Sequence, residues 1–267
     1  MSAYKIEAGT AQHIGNRSQQ NDRVALYTAA QAPGYVMAVL ADGNTSAIGS
    51  DQVLLTSKHL FDEMRVGDTP SIPRLQEMLR AIAEEAHQVI KMNPIAQTAE
   101  PQSALALMVL TPAGQAVWAH VGDARVYRFE GETCAMRSND GAYIEHLVQQ
   151  DKLPLEAAKR HRSSKLLNNA LGNNFKSPFV TAGYHDSLQA GDAFLLCSDG
   201  LWQLFKDTEL AAAVARNTPR QAAERLISKA GERAQGKGDN CSMAIIKLVE
   251  QPKEIPNYTV QKMRRAV

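Results

Sequence analysis

Cysteine is scarce in this 267-residue chain: Cys134, Cys197 and Cys241 are the only three, and no two form a C-x-x-C pair. An odd, unpaired set excludes a disulfide framework and a zinc knuckle, and it suits a reducing cytoplasm. Charge of one sign is also missing. Lys and Arg total 29 against 28 Asp and Glu, a net charge of +1. That balance supplies no positive field to draw the chain onto nucleic acid or an anionic membrane. Residues 1–16 hold no apolar h-region, and no run approaches 18 consecutive apolar residues, so neither export nor membrane spanning is expected. No cysteine has an arginine at the offset of a C-x₅-R loop, which excludes a thiolate phosphatase mechanism. There is no repeat of fixed period and no low-complexity tract. One near-miss is rejected: the segment from Gly231 to Gly238 falls one residue short of a Walker A loop, ends in glycine where Ser or Thr is needed, and follows a helical pattern instead of a strand.

What is present is enough apolar material, 44% of residues, for one domain with its own core, expected over residues 1–250 with a polar extension at 251–267. Short apolar runs at residues 35–41, 104–110, 116–121, 125–129, 193–197 and 243–249 read as strands. Ala113-Gly114 and Gly122-Asp123-Ala124 separate three of them at hairpin length, which predicts an antiparallel meander. Helical spacing is clearest at Leu75, Met78, Leu79, Ile82, Ala86, Val89 and Ile90, with Ser71 as N-cap and Pro73 in the first turn. A second helix is expected from Gly49 to Arg65, burying Val53, Leu60 and Met64. A third is expected from Thr218-Pro219 to the Gly236-Lys237-Gly238 breaker, with shorter pieces over residues 143–171. Clustered antiparallel strands with helix pairs on either side in sequence imply a layered α+β domain.

The chemistry shows in aspartates at strand ends. The run at 35–41 leads into Asp42-Gly43, the run at 193–197 into Asp199-Gly200, and the run at 116–121 into Asp123, while Asp239-Asn240 stands before the last strand. A single Asp-Gly is most often only a turn. Four such ends brought together at one sheet edge would repel one another unless a hard cation, Mg²⁺ or Mn²⁺, neutralised them. Arg17, five residues before Asp22 at the start of the first expected strand, offers the fork that a phosphate dianion needs.

In this order the residues resemble the metal-dependent Ser/Thr protein phosphatases of type 2C, in their compact bacterial form. Arg17 to Asp22 is similar to the family's R-x-x-N-(E/Q)-D element and Asp42-Gly43 to its first D-G. Val121 to Tyr127 is similar to V-G-D-S-R-x-Y, the segment ending Ala170-Leu171-Gly172 to L-T-x-A-L-G, Leu196 to Leu201 to L-C-S-D-G-L, and Gly238-Asp239-Asn240 to the final G-D-N. The resemblance implies a central antiparallel β-sandwich flanked by helix pairs. It also implies hydrolysis of phosphoserine and phosphothreonine by a water bridging two divalent ions, Mn²⁺ or Mg²⁺. Carried over by position, the resemblance implies that Asp42 bridges both ions, the Gly43 carbonyl ligates one, Asp199 and Asp239 complete the coordination of the first ion, and Asp22 helps hold the second. Arg17 binds substrate phosphate, and Asp123 belongs to a third, weaker site found in bacterial members. The partners implied are phosphorylated proteins and a cognate Ser/Thr kinase system, with the enzyme acting as a monomer.

The sequence also departs from that pattern. D-G-x-G-G is Asp42-Gly43-Asn44-Thr45-Ser46, which predicts a changed backbone path near Thr45. GDSR is GDAR with Ala124, the Asp after the second D-G-L gives way to Trp202-Gln203, and Cys241-Ser242 follows the final D-N. Asn139-Asp140-Gly141 stands where D-H-S is expected. None of the histidines, among them His13, His59, His120 and His161, can be ranked as a proton donor from sequence. These departures keep a second reading open, a catalytically weak phosphatase-like module that binds phosphorylated proteins. A metal-dependent nuclease is disfavoured by the neutral charge.

Overall fold

The computed structural model describes residues 4–65, 70–93, 100–139 and 169–251. Among the described residues, ten strands form two five-stranded antiparallel sheets. One sheet has the order β1 (Tyr4–His13), β10 (Cys241–Glu250), β9 (Asp192–Cys197), β6 (Arg125–Glu130), β7 (Thr133–Arg137). The other has the order β2 (Arg23–Thr28), β3 (Val36–Gly43), β4 (Ser103–Leu110), β5 (Ala116–Val121), β8 (Thr181–His185). Two helices, α1 (Ile48–Asp62) and α2 (Ile72–Met92), cover the outer face of the β3–β4–β5 sheet. A single turn, α3 (Asp199–Trp202), then α4 (Asp207–Arg216) and α5 (Pro219–Ala234), covers the outer face of the other. The four-layer α+β sandwich is the architecture expected.

Each central strand has buried side chains on both faces, so it reads as a largely apolar run, even where β6 carries Arg125 and Arg128. In β3, Met37, Val39 and Ala41 face α1 and α2, while Ala38 and Leu40 face the opposite sheet. In β9, Phe194 and Leu196 point between the sheets, while Ala193, Leu195 and Cys197 pack under α4 and α5. Burying such side chains contributes roughly 1.5–3 kcal/mol each. The six apolar runs are the six interior strands. The edge strands β1, β7 and β8 lack such runs and were not anticipated; β7 alternates between exposed and half-buried residues, the pattern of a strand with one solvated side.

The expected meander breaks at one point. β4 and β5 do form a hairpin, but β5 already pairs with β4 and β8, leaving no free edge for β6. The Gly122-Asp123-Ala124 turn instead carries the chain to the other sheet, where β6 pairs with β9 and β7. Helix limits are close to those expected. α1 ends at Asp62, before Arg65, with Met64 still buried beyond it. On α2, Val89 lies exposed instead of in the core, and Ser71 occupies the N-cap without a side-chain cap bond. α5 is capped as its sequence suggests, the Thr218 hydroxyl accepting from the Gln221 N–H. Of the range 143–171 expected to hold short helical pieces, residues 143–168 lie outside the described residues, and at its described end Leu171 forms an isolated β-bridge with Ser103 instead of a helix; Asp140-Gly141 of the flap segment and the extension from 252 also lie outside the described residues. Among the described residues, no helix is long and apolar enough to cross a membrane.

Candidate active site

Antiparallel pairing with alternating direction brings the carboxyl end of β3, the β5–β6 crossover, the end of β9 and the start of β10 to one end of the sandwich. A cavity of about 440 Å³ opens there, lined by Asp42, Asp123, Asp199, Asp239 and Arg17 together with the backbone at Gly43. The four strand-end aspartates are thus brought together. Asp22 lies behind them: it is 1% exposed and does not line the cavity, but its carboxyl interacts with that of Asp42.

The loops holding these groups are stapled by Asn240. Its Oδ1 accepts from the Asn21 N–H at 2.7 Å, and its Nδ2 donates to the Ile14 and Gln19 carbonyls at 2.8 and 3.0 Å. One buried amide therefore locks the segment carrying Arg17 and Asp22 against the turn carrying Asp239. This role was missed in the sequence, where Asn240 reads only as the end of a motif. The two Asp-Gly steps are not glycine for reasons of φ, since neither glycine has a positive value. A Cβ on Gly43 would come within 2.5 Å of the Asn21 carbonyl oxygen, and one on Gly200 within 2.1 Å of that of Asn240, so close approach of backbones selects glycine at both. Asn44, Thr45 and Ser46 all keep negative φ, so replacing the family's glycines demands no left-handed residue here.

The electrostatics of the cluster suit a cation. Burial pushes the Asp42 carboxyl well above the usual carboxylate range, and Asp22, Asp199 and Asp123 push it further. Asp199 is raised to about 7, first by burial and then by Asp123, Asp239 and Asp22. Asp22 is raised mainly by burial. Both of its carboxylate oxygens are buried without a hydrogen bond of normal geometry, although the Ser198 and Ser242 hydroxyls stand near enough to lower its proton affinity somewhat. Among the described residues, Arg17 brings a counter-charge to the cluster: its Nη2 donates to Asp239 Oδ2. Orphaned buried oxygens and mutually repelling carboxylates, all hard oxygen donors, fit a divalent cation of the Mg²⁺ or Mn²⁺ type. Among the described residues no three acidic, imidazole or thiol groups alone form a cage, so backbone carbonyls such as that of Gly43 and water would complete a shell.

No described histidine lines the cavity. His13 accepts from the Gly15 N–H, His59 faces Glu63 on the α1 surface, and His120 is buried with Nε2 3.3 Å from the Asn139 carbonyl. His161 lies outside the described residues. The departures at Trp202 and Gln203 do reach the site: Gln203 Nε2 donates to Asp199 Oδ2 at 2.9 Å.

Comparison with known proteins bears on the fold and the family. The chain is 26% identical over 222 residues to the serine/threonine protein phosphatase PstP of Mycobacterium tuberculosis, covering 81% of this chain but 41% of that protein. It is 26% identical over 142 residues to the protein phosphatase PhpP of Streptococcus pneumoniae, covering 52% of this chain and 56% of that one. The chain thus spans about half the length of these relatives or less. Among solved structures, the S. agalactiae serine/threonine phosphatase superposes with a TM-score of 0.73 at 20% identity, over 92% of this chain and 100% of that chain. The catalytic domain of PstP in complex with 2 manganese ions superposes with a TM-score of 0.64 at 23% identity, over 92% of this chain and 99% of that one. At such identities the superpositions speak for the fold. The sequence profile described as Protein phosphatase 2C matches residues 9–230, from β1 into α5, and with most of the chain matched in this way the protein belongs to the protein phosphatase 2C family.

Proposed function

We propose that this chain is a metal-dependent protein-serine/threonine phosphatase that hydrolyses phosphoserine and phosphothreonine monoesters. The observation that carries the reading is the convergence of Asp42, Asp123, Asp199, Asp239 and Arg17 on one polar cavity. Asp42, the Gly43 carbonyl, Asp199 and Asp239 are the groups that would hold two divalent ions, Mn²⁺ or Mg²⁺, and the exposed Asp123 would contribute to a third, weaker site. Asp22, buried behind Asp42, would help hold the second ion by fixing Asp42 instead of facing the cavity. When bound, such cations would supply Lewis acidity and would lower the pKa of a bound water.

The chain's own side chains do the rest. Asp42 and Asp199 concentrate negative charge at the cavity floor, and the lining positions Asn44, Thr45 and Asn169 keep its rim polar without adding charge. Arg17 is exposed and tied to Asp239 at one guanidinium nitrogen, leaving further N–H groups to grip phosphate oxygens and absorb transition-state charge. No described histidine lines the cavity, so none of them is assigned as the donor of a proton to the departing alkoxide; a water or a histidine outside the described residues would serve. The phosphorylated proteins it acts on would come from a Ser/Thr kinase system, and all the groups named lie within one chain, as suits a monomer. The free thiols suit a cytoplasmic setting.

The test is phosphate release from phosphothreonine peptides with Mn²⁺ and with excess EDTA. Release only with the metal is expected. Undiminished release from verified metal-free protein would overturn the two-ion reading, and peptide binding without release would favour the phosphoprotein-binding module.

Arg17→Ala separates the substrate role from the metal role. It should raise KM and lower kcat/KM by roughly tenfold to a hundredfold, the loss of one or two charge-assisted hydrogen bonds. Mn²⁺ affinity should hold or tighten, because Asp239 loses a competing cation. Calorimetry showing that metal binding disappears with the arginine would make its role structural.

A further inference from the structure

The residues ending α3, Trp202 and Gln203, face two acidic loops at once. Gln203 Nε2 donates to Asp199 Oδ2 at 2.9 Å, and Trp202 Nε1 donates to the Asp123 carbonyl at 2.9 Å. The Arg125 guanidinium lies 3.4 Å from the Trp202 ring centroid, closing the other side of the indole. Asp199 follows β9 in one sheet and Asp123 follows β5 in the other, so this single turn of helix is a bridge across the top of the sandwich. With the indole fixed at its nitrogen and its face, the neighbouring glutamine is held in place.

We propose that Gln203 is a positioning residue for divalent-cation binding: its amide N–H fixes the rotamer of Asp199 while Trp202 fixes the helix turn against the Asp123 loop. The inference rests on the metal reading above and deepens it. An amide suits this task because it is neutral. It occupies one lone-pair direction of Oδ2 and leaves the other oxygen, and the net charge, for a cation. Arg17 on Asp239 does the opposite, competing with a cation for the same carboxylate. A hydrogen-bonding partner behind a ligand typically accounts for tenfold to a hundredfold in metal affinity.

The experiment is calorimetric titration of Mn²⁺ into the full chain, with melting temperature in EDTA and in Mn²⁺ as a second readout, for wild type, Gln203→Leu and Gln203→Glu. Leucine keeps the bulk and removes the donor, so Mn²⁺ affinity should fall about tenfold with the EDTA melting temperature nearly unchanged. Glutamate sets a second carboxylate against Asp199, so the metal-free melting temperature should drop while Mn²⁺ affinity rises. A packing role alone would not move affinity in opposite directions for two side chains of similar size. Wild type that binds Mn²⁺ while Gln203→Leu matches it within twofold, or both variants shifting affinity the same way, overturns the inference and leaves the metal reading standing. Wild type that takes up no Mn²⁺ overturns the metal reading, and the inference with it.

Discussion

Asp199→Asn and Asp42→Asn are each expected to reduce phosphate release by a hundredfold or more, with the fold retained. Asparagine keeps nearly the same shape and one carbonyl oxygen, so packing and the Gln203 contact to position 199 survive. What is lost is one negative charge at the cavity floor, and with it several kcal/mol of cation binding and transition-state stabilisation; about 2.7 kcal/mol already accounts for a hundredfold. Asp123→Asn should cost far less, because Asp123 sits at the exposed rim. Steady-state rates on a phosphothreonine peptide, with circular dichroism to verify equal folding, decide the matter. Asp199→Asn turning over like wild type would remove Asp199 from the ion site.

Without metal, the protein should become less stable as pH rises from about 4 to about 7. Asp199 takes up its proton near 7 in the folded chain against an ordinary value of 3.8. The native state therefore binds more protons than the unfolded state across that window. By linkage, the stabilisation is fully present below the unfolded value and is lost as pH rises through the folded one. Three pKa units set a ceiling of about 4 kcal/mol, and partial exposure of the carboxyl reduces this to about 2 kcal/mol. Asp42 shifts in the same direction for the same reasons. Mn²⁺ should cancel the effect, since a cation replaces the proton as the neutralising partner, and Mn²⁺ affinity should weaken as the pH falls below 7. Melting curves in EDTA at pH 5.5 and 8 for wild type and Asp199→Asn provide the check. A difference between the two proteins that stays constant with pH would show that Asp199 is not held protonated.

How much of this was legible beforehand depended on burial. Strands β3, β4, β5, β6, β9 and β10 are interior and packed on both faces, so apolar side chains were required at nearly every position and the runs stood out. Edge strands carry no such requirement. β1 pairs with β10 over ten residues, from Tyr4 opposite Glu250 to His13 opposite Cys241, yet its mixture of exposed and half-buried positions resembles a loop on paper. α4 escaped notice for a related reason: ten residues with three buried side chains make too short a stripe to register as a period.

The site divides in the same way. Which residue types carry its chemistry was written locally, because an aspartate at a strand end needs no distant partner to be seen. That Asp42, Asp123, Asp199 and Asp239 share one cavity is a property of two stacked sheets. The clearest instance is Asp123: local turn length favoured a hairpin, and the saturated edges of β5 forced the crossover that sets Asp123 beside Asp199. Distance along the chain likewise hid the Asn240 staple, whose partners Ile14, Gln19 and Asn21 lie more than two hundred residues away. The sequence by itself determined the interior strands, the longer helices and the donor atoms, since strand burial and carboxylate chemistry act residue by residue. Only the tertiary structure decided which carboxylate faces the cavity and which, like Asp22, stands behind it, because desolvation and charge repulsion are set by neighbours that pairing across the sheets supplies.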